Sequence, residues 1–146
     1  ALSPGFFPYN KHFRGGVNVA VCDVNGNGKQ EILTGAGFRG GPHIRIFDNN
    51  GNLVNPGFFA YQADFRGGVR LACGDVTGDG VSDIITAPGR TGGPHVKIFT
   101  QEGRVLHKEF FAFNASNTAG VFVSVVDVDG DGKKEVITQT QNYFGL

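Results

Sequence analysis

The sequence predicts an all-β protein, and three observations carry that prediction. Twenty-four glycines stand beside fourteen phenylalanines in 146 residues. The glycines lack the three-residue period of collagen, so they read as frequent turns between strongly apolar strands. The apolar stretches 17–24, 69–76 and 121–128 are short and valine-rich. The whole pattern also recurs: Asp23, Asp75 and Asp127 open the same acidic loop, 52 residues apart each time. A fixed period of this size marks a repeat architecture. The length is that of one domain with room for a sizeable core.

In chain order, residues 1–5 read as a tail. Gly5-Phe6-Phe7-Pro8-Tyr9 then begins the pattern inside a repeat, matching Gly57-Phe58-Phe59-Ala60-Tyr61 and Glu109-Phe110-Phe111-Ala112-Phe113. Phe13-Arg14-Gly15-Gly16 and Phe65-Arg66-Gly67-Gly68, with Asn117-Thr118-Ala119-Gly120 as a looser copy, are glycine turns into the next unit. From Val17 to Val24 both faces of the strand are nearly all apolar, so it must be covered on both sides. After the acidic loop, Glu31-Ile32-Leu33-Thr34 and its two copies form a second strand, which makes the loop a hairpin connection.

Gly40-Gly41-Pro42-His43 and Gly92-Gly93-Pro94-His95 lead into a third strand, the proline placed where its missing N–H costs no ladder bond. Asn50-Gly51 predicts a two-residue hairpin turn, with Glu102-Gly103 in its place one repeat later. The fourth strand runs through the paired phenylalanines. Four antiparallel strands in about fifty residues describe a β-propeller blade. The division is strand four of a preceding blade over 6–16, blades over 17–68 and 69–120, and a partial blade over 121–146. In place of a third Gly-Gly-Pro-His stands Gln141-Asn142-Tyr143-Phe144-Gly145-Leu146. The ring is therefore incomplete within one chain, and closure calls for further copies or the remaining blades of a longer chain.

The acidic loop carries the chemistry. Asp127-Val128-Asp129-Gly130-Asp131-Gly132-Lys133-Lys134-Glu135 sets carboxylates at alternate positions, with glycines that permit a tight, partly left-handed backbone. A hard cation of calcium's size needs six to eight oxygens, and this spacing lets several carboxylates converge. Asp23-Val24-Asn25-Gly26-Asn27-Gly28-Lys29-Gln30-Glu31 and Asp75-Val76-Thr77-Gly78-Asp79-Gly80-Val81-Ser82-Asp83 share the frame.

Together with the Gly-Gly-Pro and Phe-Phe strands, these loops make the chain resemble the FG-GAP/VCBS repeat family, which includes the calcium-binding blades of integrin α-subunit propellers. The resemblance covers nearly all of residues 6–138. It implies ligation of up to three Ca²⁺ through side chains at loop positions one, three, five and nine and the carbonyl at seven. The implied ligands are Asp23, Asn25, Asn27, Lys29 and Glu31; Asp75, Thr77, Asp79, Val81 and Asp83; and Asp127, Asp129, Asp131, Lys133 and Glu135. Asn25, Asn27 and Thr77 are neutral where the family usually has Asp, and Glu31 and Glu135 are longer than its usual Asp. The resemblance further implies an extracellular or cell-surface setting and a structural, adhesive or protein-interaction role. The alternative is a glycan-binding or enzyme-attached propeller.

Other chemistry finds little support. Thirteen basic and thirteen acidic residues cancel, so no long-range field recruits nucleic acid or an anionic membrane. No apolar run is long enough for a membrane-spanning helix. Methionine is absent, so the sequence reads as a processed product or a piece of something longer. No nucleophile or metalloprotease motif is present, and the expected function is non-enzymatic. His43 and His95 recur and are expected to serve the repeat. Asn114-Ala115-Ser116 fits a glycosylation acceptor, and the two Arg-Gly-Gly triplets read as blade connections. Cys22 aligns with Gly74 and Cys73 with Val21, on opposite faces of equivalent strands; the expectation is two buried free thiols.

Overall fold

The computed structural model describes residues 5–140, the side chains of His107 and Lys108 excepted. Two four-stranded antiparallel sheets and one two-stranded sheet follow one another along the chain. The first holds β1 (Val17–Cys22), β2 (Glu31–Ala36), β3 (His43–Phe47) and β4 (Leu53–Phe59) in that spatial order. The second repeats it with β5 (Val69–Gly74), β6 (Asp83–Pro88), β7 (His95–Phe99) and β8 (Val105–Phe111), and the third pairs β9 (Val121–Val126) with β10 (Glu135–Thr140). Residues 1–4, most of the expected tail, and 141–146, which stand in place of a third Gly-Gly-Pro-His, lie outside the described residues.

Register repeats as faithfully as sequence. Cys22 pairs with Glu31, Gly74 with Asp83 and Val126 with Glu135, so each acidic loop is clamped at its base by the same rung. The β3–β4 turn differs from the expected two-residue hairpin. The amide of Asp48 donates to the carbonyl of Asn52 at 2.8 Å, leaving Asn49, Asn50 and Gly51 in the turn. Gly51 takes φ 83°, the left-handed residue that a three-residue loop requires. The Asp48 carboxylate accepts the amides of Asn50 and Asn52 and so stabilises the longer turn.

The core lies between the sheets. Because β-strand side chains alternate, β2 turns Leu33 one way and Ile32 the other. Leu33, Ile44 and Ile46 of the first sheet meet Val69, Leu71 and Ile84 of the second. Ile85, Val96 and Ile98 meet Val121 and Val136 of the third in the same way. Gly35 shows how closely the layers approach: a Cβ there would lie 2.7 Å from the Val69 carbonyl oxygen. Phe6, although outside any strand, packs on Phe47 at 4.8 Å between ring centroids, as Phe58 packs on Phe99 at 4.8 Å. Residues 5–9 thus lie against the first sheet as the end of β4 lies against the second.

The same stacking corrects the expectation for the cysteines. Cys22 and Cys73 form a disulfide across the first two sheets, with their Cα atoms 6.2 Å apart. Blades stack rear face on front face, so side chains that meet between neighbours come from opposite faces of equivalent strands. The offset that argued against a bond is the one a bond between adjacent blades needs.

Candidate metal loops

The β1–β2, β5–β6 and β9–β10 loops emerge at one end of the sheets, beside the β3–β4 and β7–β8 turns. Each is organised by its first aspartate. Asp23 accepts the amides of Gly26 and Asn27 on Oδ1 and of Gly28 on Oδ2. Asp75 does the same with Gly78, Asp79 and Gly80, and Asp127 with Gly130 and Gly132. The glycines make this wrapping possible, with φ between 74° and 90° at Gly26, Gly28, Gly78, Gly80, Gly130 and Gly132. The side chains at positions three and five form smaller turns. Asn25 and Asp129 accept the amide two residues on, and Asn27, Asp79 and Asp131 do likewise at 2.8–2.9 Å.

The ninth residue closes each loop from the second strand. Glu31 Oε2 accepts the Val24 amide at 3.1 Å, Glu135 Oε2 the Val128 amide at 2.9 Å, and Asp83 Oδ2 the amides of Val76 and Thr77, both at 3.0 Å. Glu31 and Asp83 are buried. Burial pushes the Asp83 carboxyl above its ordinary range, outweighing the two amides that favour its charge. Desolvation also pushes Asp23 upward, but the amides of Gly28, Gly26, Asn27 and Asn25 outweigh it and hold Asp23 below the usual carboxylate range. Asp75 is held down in the same way by Gly80, Gly78 and Asp79, with the Thr77 hydroxyl assisting.

The loops are also tied to each other. The Ser82 amide donates to the Asp23 carbonyl at 3.2 Å, and the Lys134 amide to the Asp75 carbonyl at 3.3 Å. The eighth residue of one loop therefore holds the first residue of the loop before it, a link with no sequence signal because any residue but proline supplies that N–H.

Convergence tests the donor set. Asp127, Asp129 and Glu135 each offer a carboxylate oxygen, all within 4.8 Å of one another. Two oxygens bound to one calcium at about 2.3–2.6 Å cannot be more than about 4.6–5.2 Å apart, so this spread fits one ion. Among the described residues it is the one such acidic group. Asp131 lies outside it, as do Asp75, Asp79 and Asp83 as a set. The first loop has only Asp23 and Glu31 as carboxylates, with the amide oxygens of Asn25 and Asn27 in the intervening positions. The donors in all three loops are hard oxygens, the class calcium takes.

With the repeats, blades and loops in place, the match to a family model of FG-GAP-like repeats over residues 23–86 and 75–138 assigns the fold. The chain belongs to the FG-GAP-like repeat family. Its sheets are blades of a β-propeller-like repeat module. Comparison with curated proteins and with solved structures returned no match.

Proposed function

We propose that this FG-GAP chain is a calcium-stabilised, extracellular propeller module with a structural, adhesive or protein-interaction role. The observation that carries the reading is the convergence of Asp127, Asp129 and Glu135 within 4.8 Å. Bound calcium neutralises carboxylates that otherwise repel, and ties the two strands of a hairpin through one ion. The chain's own residues prepare for it: the first aspartate winds the loop and the ninth residue anchors it to the sheet. The Cys22–Cys73 disulfide supports the extracellular assignment, since such bonds persist where the medium is oxidising.

The same reading has the module completed by further blades or further copies. Val17, Val19 and Val21 form the front of the first blade and are exposed, Val19 at 58 %, whereas the equivalent Leu71 is 9 % exposed beneath its neighbour. A hollow of about 380 Å³ lined by Phe6, Val19 and Ile32 lies on that face. At the other end of the stack Phe122, Val126 and Ile137 are exposed.

Ligand charge sets the expected order of affinity: four carboxylates in the Asp127 loop, three in the Asp75 loop and two in the Asp23 loop. Calorimetry on single-loop variants carrying Asp→Ala at position one tests it, with calcium leaving the Asp23 loop first under chelator. For sites of about 10⁻⁴ M at tenfold higher calcium, each adds about 1.4 kcal/mol to stability. A melting curve unchanged by chelator would refute the reading.

A further inference from the structure

Two pockets recur at the end of the blades opposite the acidic loops, where the β2–β3 and β4–β5 connections emerge. The first, about 260 Å³, is lined by Tyr9, Asn10, Phe13, Gly41, His43 and Phe59. The second, about 210 Å³, has Tyr61, Gln62, Phe65, Gly93 and His95 at the positions 52 residues on. We propose that these twin pockets bind neutral pyranose rings, one sugar to each blade.

Four properties select that ligand class. Both volumes fall below the ~300–1,000 Å³ of sites for drug-sized ligands, so a single ring is what fits. The walls are aromatic and held in place. Tyr9 donates its hydroxyl to the His43 carbonyl at 2.6 Å and meets Phe13 edge-on, and Tyr61 donates to the His95 carbonyl at 2.7 Å and meets Phe65 edge-on. Their hydroxyls are thereby engaged, and the rings offer carbon to the cavity.

In each pocket the lining histidine lies over a phenylalanine, His43 on Phe59, itself part of the first lining, at 5.0 Å and His95 on Phe111 at 4.9 Å between centroids. Phe59 and Phe111 are nonetheless 55 % and 59 % exposed, so each pocket has an accessible aromatic platform beside it. The polar side chains lining the two pockets beside the tyrosines are imidazoles and carboxamides, and the charged groups next to them are engaged, Arg66 with the carbonyls of Ala63 and Phe65 and Glu109 with His95 Nε2 at 3.2 Å. Burial holds the His43 imidazole below its ordinary pKa, with the nearby Arg45 acting in the same direction, so it faces the cavity neutral. A ring with an apolar C–H face and hydroxyl edges satisfies both kinds of wall, whereas a charged ligand must compete with the partners that Arg66 and Glu109 already have and a prolyl ring leaves the hydrogen-bonding groups unmatched.

Gly41 and Gly93 supply the test. A Cβ at Gly41 would meet nothing nearer than the Arg66 guanidinium at 3.7 Å, and one at Gly93 nothing nearer than the Ala115 carbonyl at 3.7 Å. Alanine is therefore tolerated by the fold while taking up space in the pocket. The full chain in saturating calcium is titrated with methyl glycosides of neutral hexoses, reading the aromatic ¹H–¹³C signals of Phe59, His43, Phe111 and His95. The expected result is saturable shifts in both sets. Gly41→Ala should weaken the first response about tenfold and leave the second, and Gly93→Ala the reverse, about 1.4 kcal/mol each. Should either alanine disturb the melting curve, Phe59→Ala and Phe111→Ala at exposed positions give the same reading. Absence of any saturable shift overturns the proposal. So does undiminished binding by the Gly41→Ala/Gly93→Ala double variant, or saturation by a proline-rich peptide in place of the glycosides. Calcium is constant throughout, so failure here leaves the metal reading to its own experiment.

Discussion

Removing the Cys22–Cys73 disulfide should cost this module a large part of its stability. The bond spans 51 residues. In the chain-entropy description, a closed loop of that size confines the unfolded chain by about 4 kcal/mol. At roughly 3 °C per kcal/mol for a chain of this length, melting should fall by about 12 °C. The assay compares three samples in calcium: the oxidised protein, the same protein after reduction, and Cys22→Ala/Cys73→Ala. Both cysteines are half-buried at the seam between the first two blades, so the alanine variant also loses sulfur packing and should melt slightly below the reduced protein. The gap between oxidised and reduced protein isolates the covalent link. A drop of less than about 3 °C on reduction, with the loss of the bond verified by mass, would refute the argument that this staple constrains the unfolded chain.

Two further outcomes follow from the geometry. Asp83 has its carboxyl raised by burial, so the stability it contributes is complete below the ordinary carboxylate pKa and declines as pH rises through the raised value. At neutral pH in chelator Asp83→Asn should melt at or above the parent, because one amide oxygen can still accept from Val76 and Thr77, whereas in calcium it should melt below it; a lower melting point in both media contradicts the sign. Leu33 and Ile137 hold the same repeat position, the first fully buried and the second 42 % exposed. For the chain alone in dilute solution, denaturant titration should give a loss of about 2–5 kcal/mol for Leu33→Ala and less than about 1 kcal/mol for Ile137→Ala. Equal losses there would contradict the exposure of Ile137 in the single chain, whereas a cost of Ile137→Ala that grows with protein concentration is what completion by further copies requires.

The 52-residue period, the glycine turns and the alternating valines were sufficient to determine the strands and their order, because hairpin connections and strand alternation are local rules. Spacing alone also assembled the acidic loops: Asp23, Asp75 and Asp127 can wind them only with glycine at positions four and six, and those glycines are visible in the sequence. Which side chains face one another across the seam between blades was settled only by the tertiary structure. Equivalent residues suggest equivalent surroundings, yet stacking brings the rear of one blade onto the front of the next. Cys22 therefore meets Cys73, and Val19 stays exposed where Leu71 is covered. The twin pockets were hidden for the same reason. Tyr9 and His43 stand 34 residues apart, on segments that meet only when a blade receives the connection preceding it. Period and alternation are written residue by residue, whereas a seam belongs to two surfaces at once and exists only after both have folded.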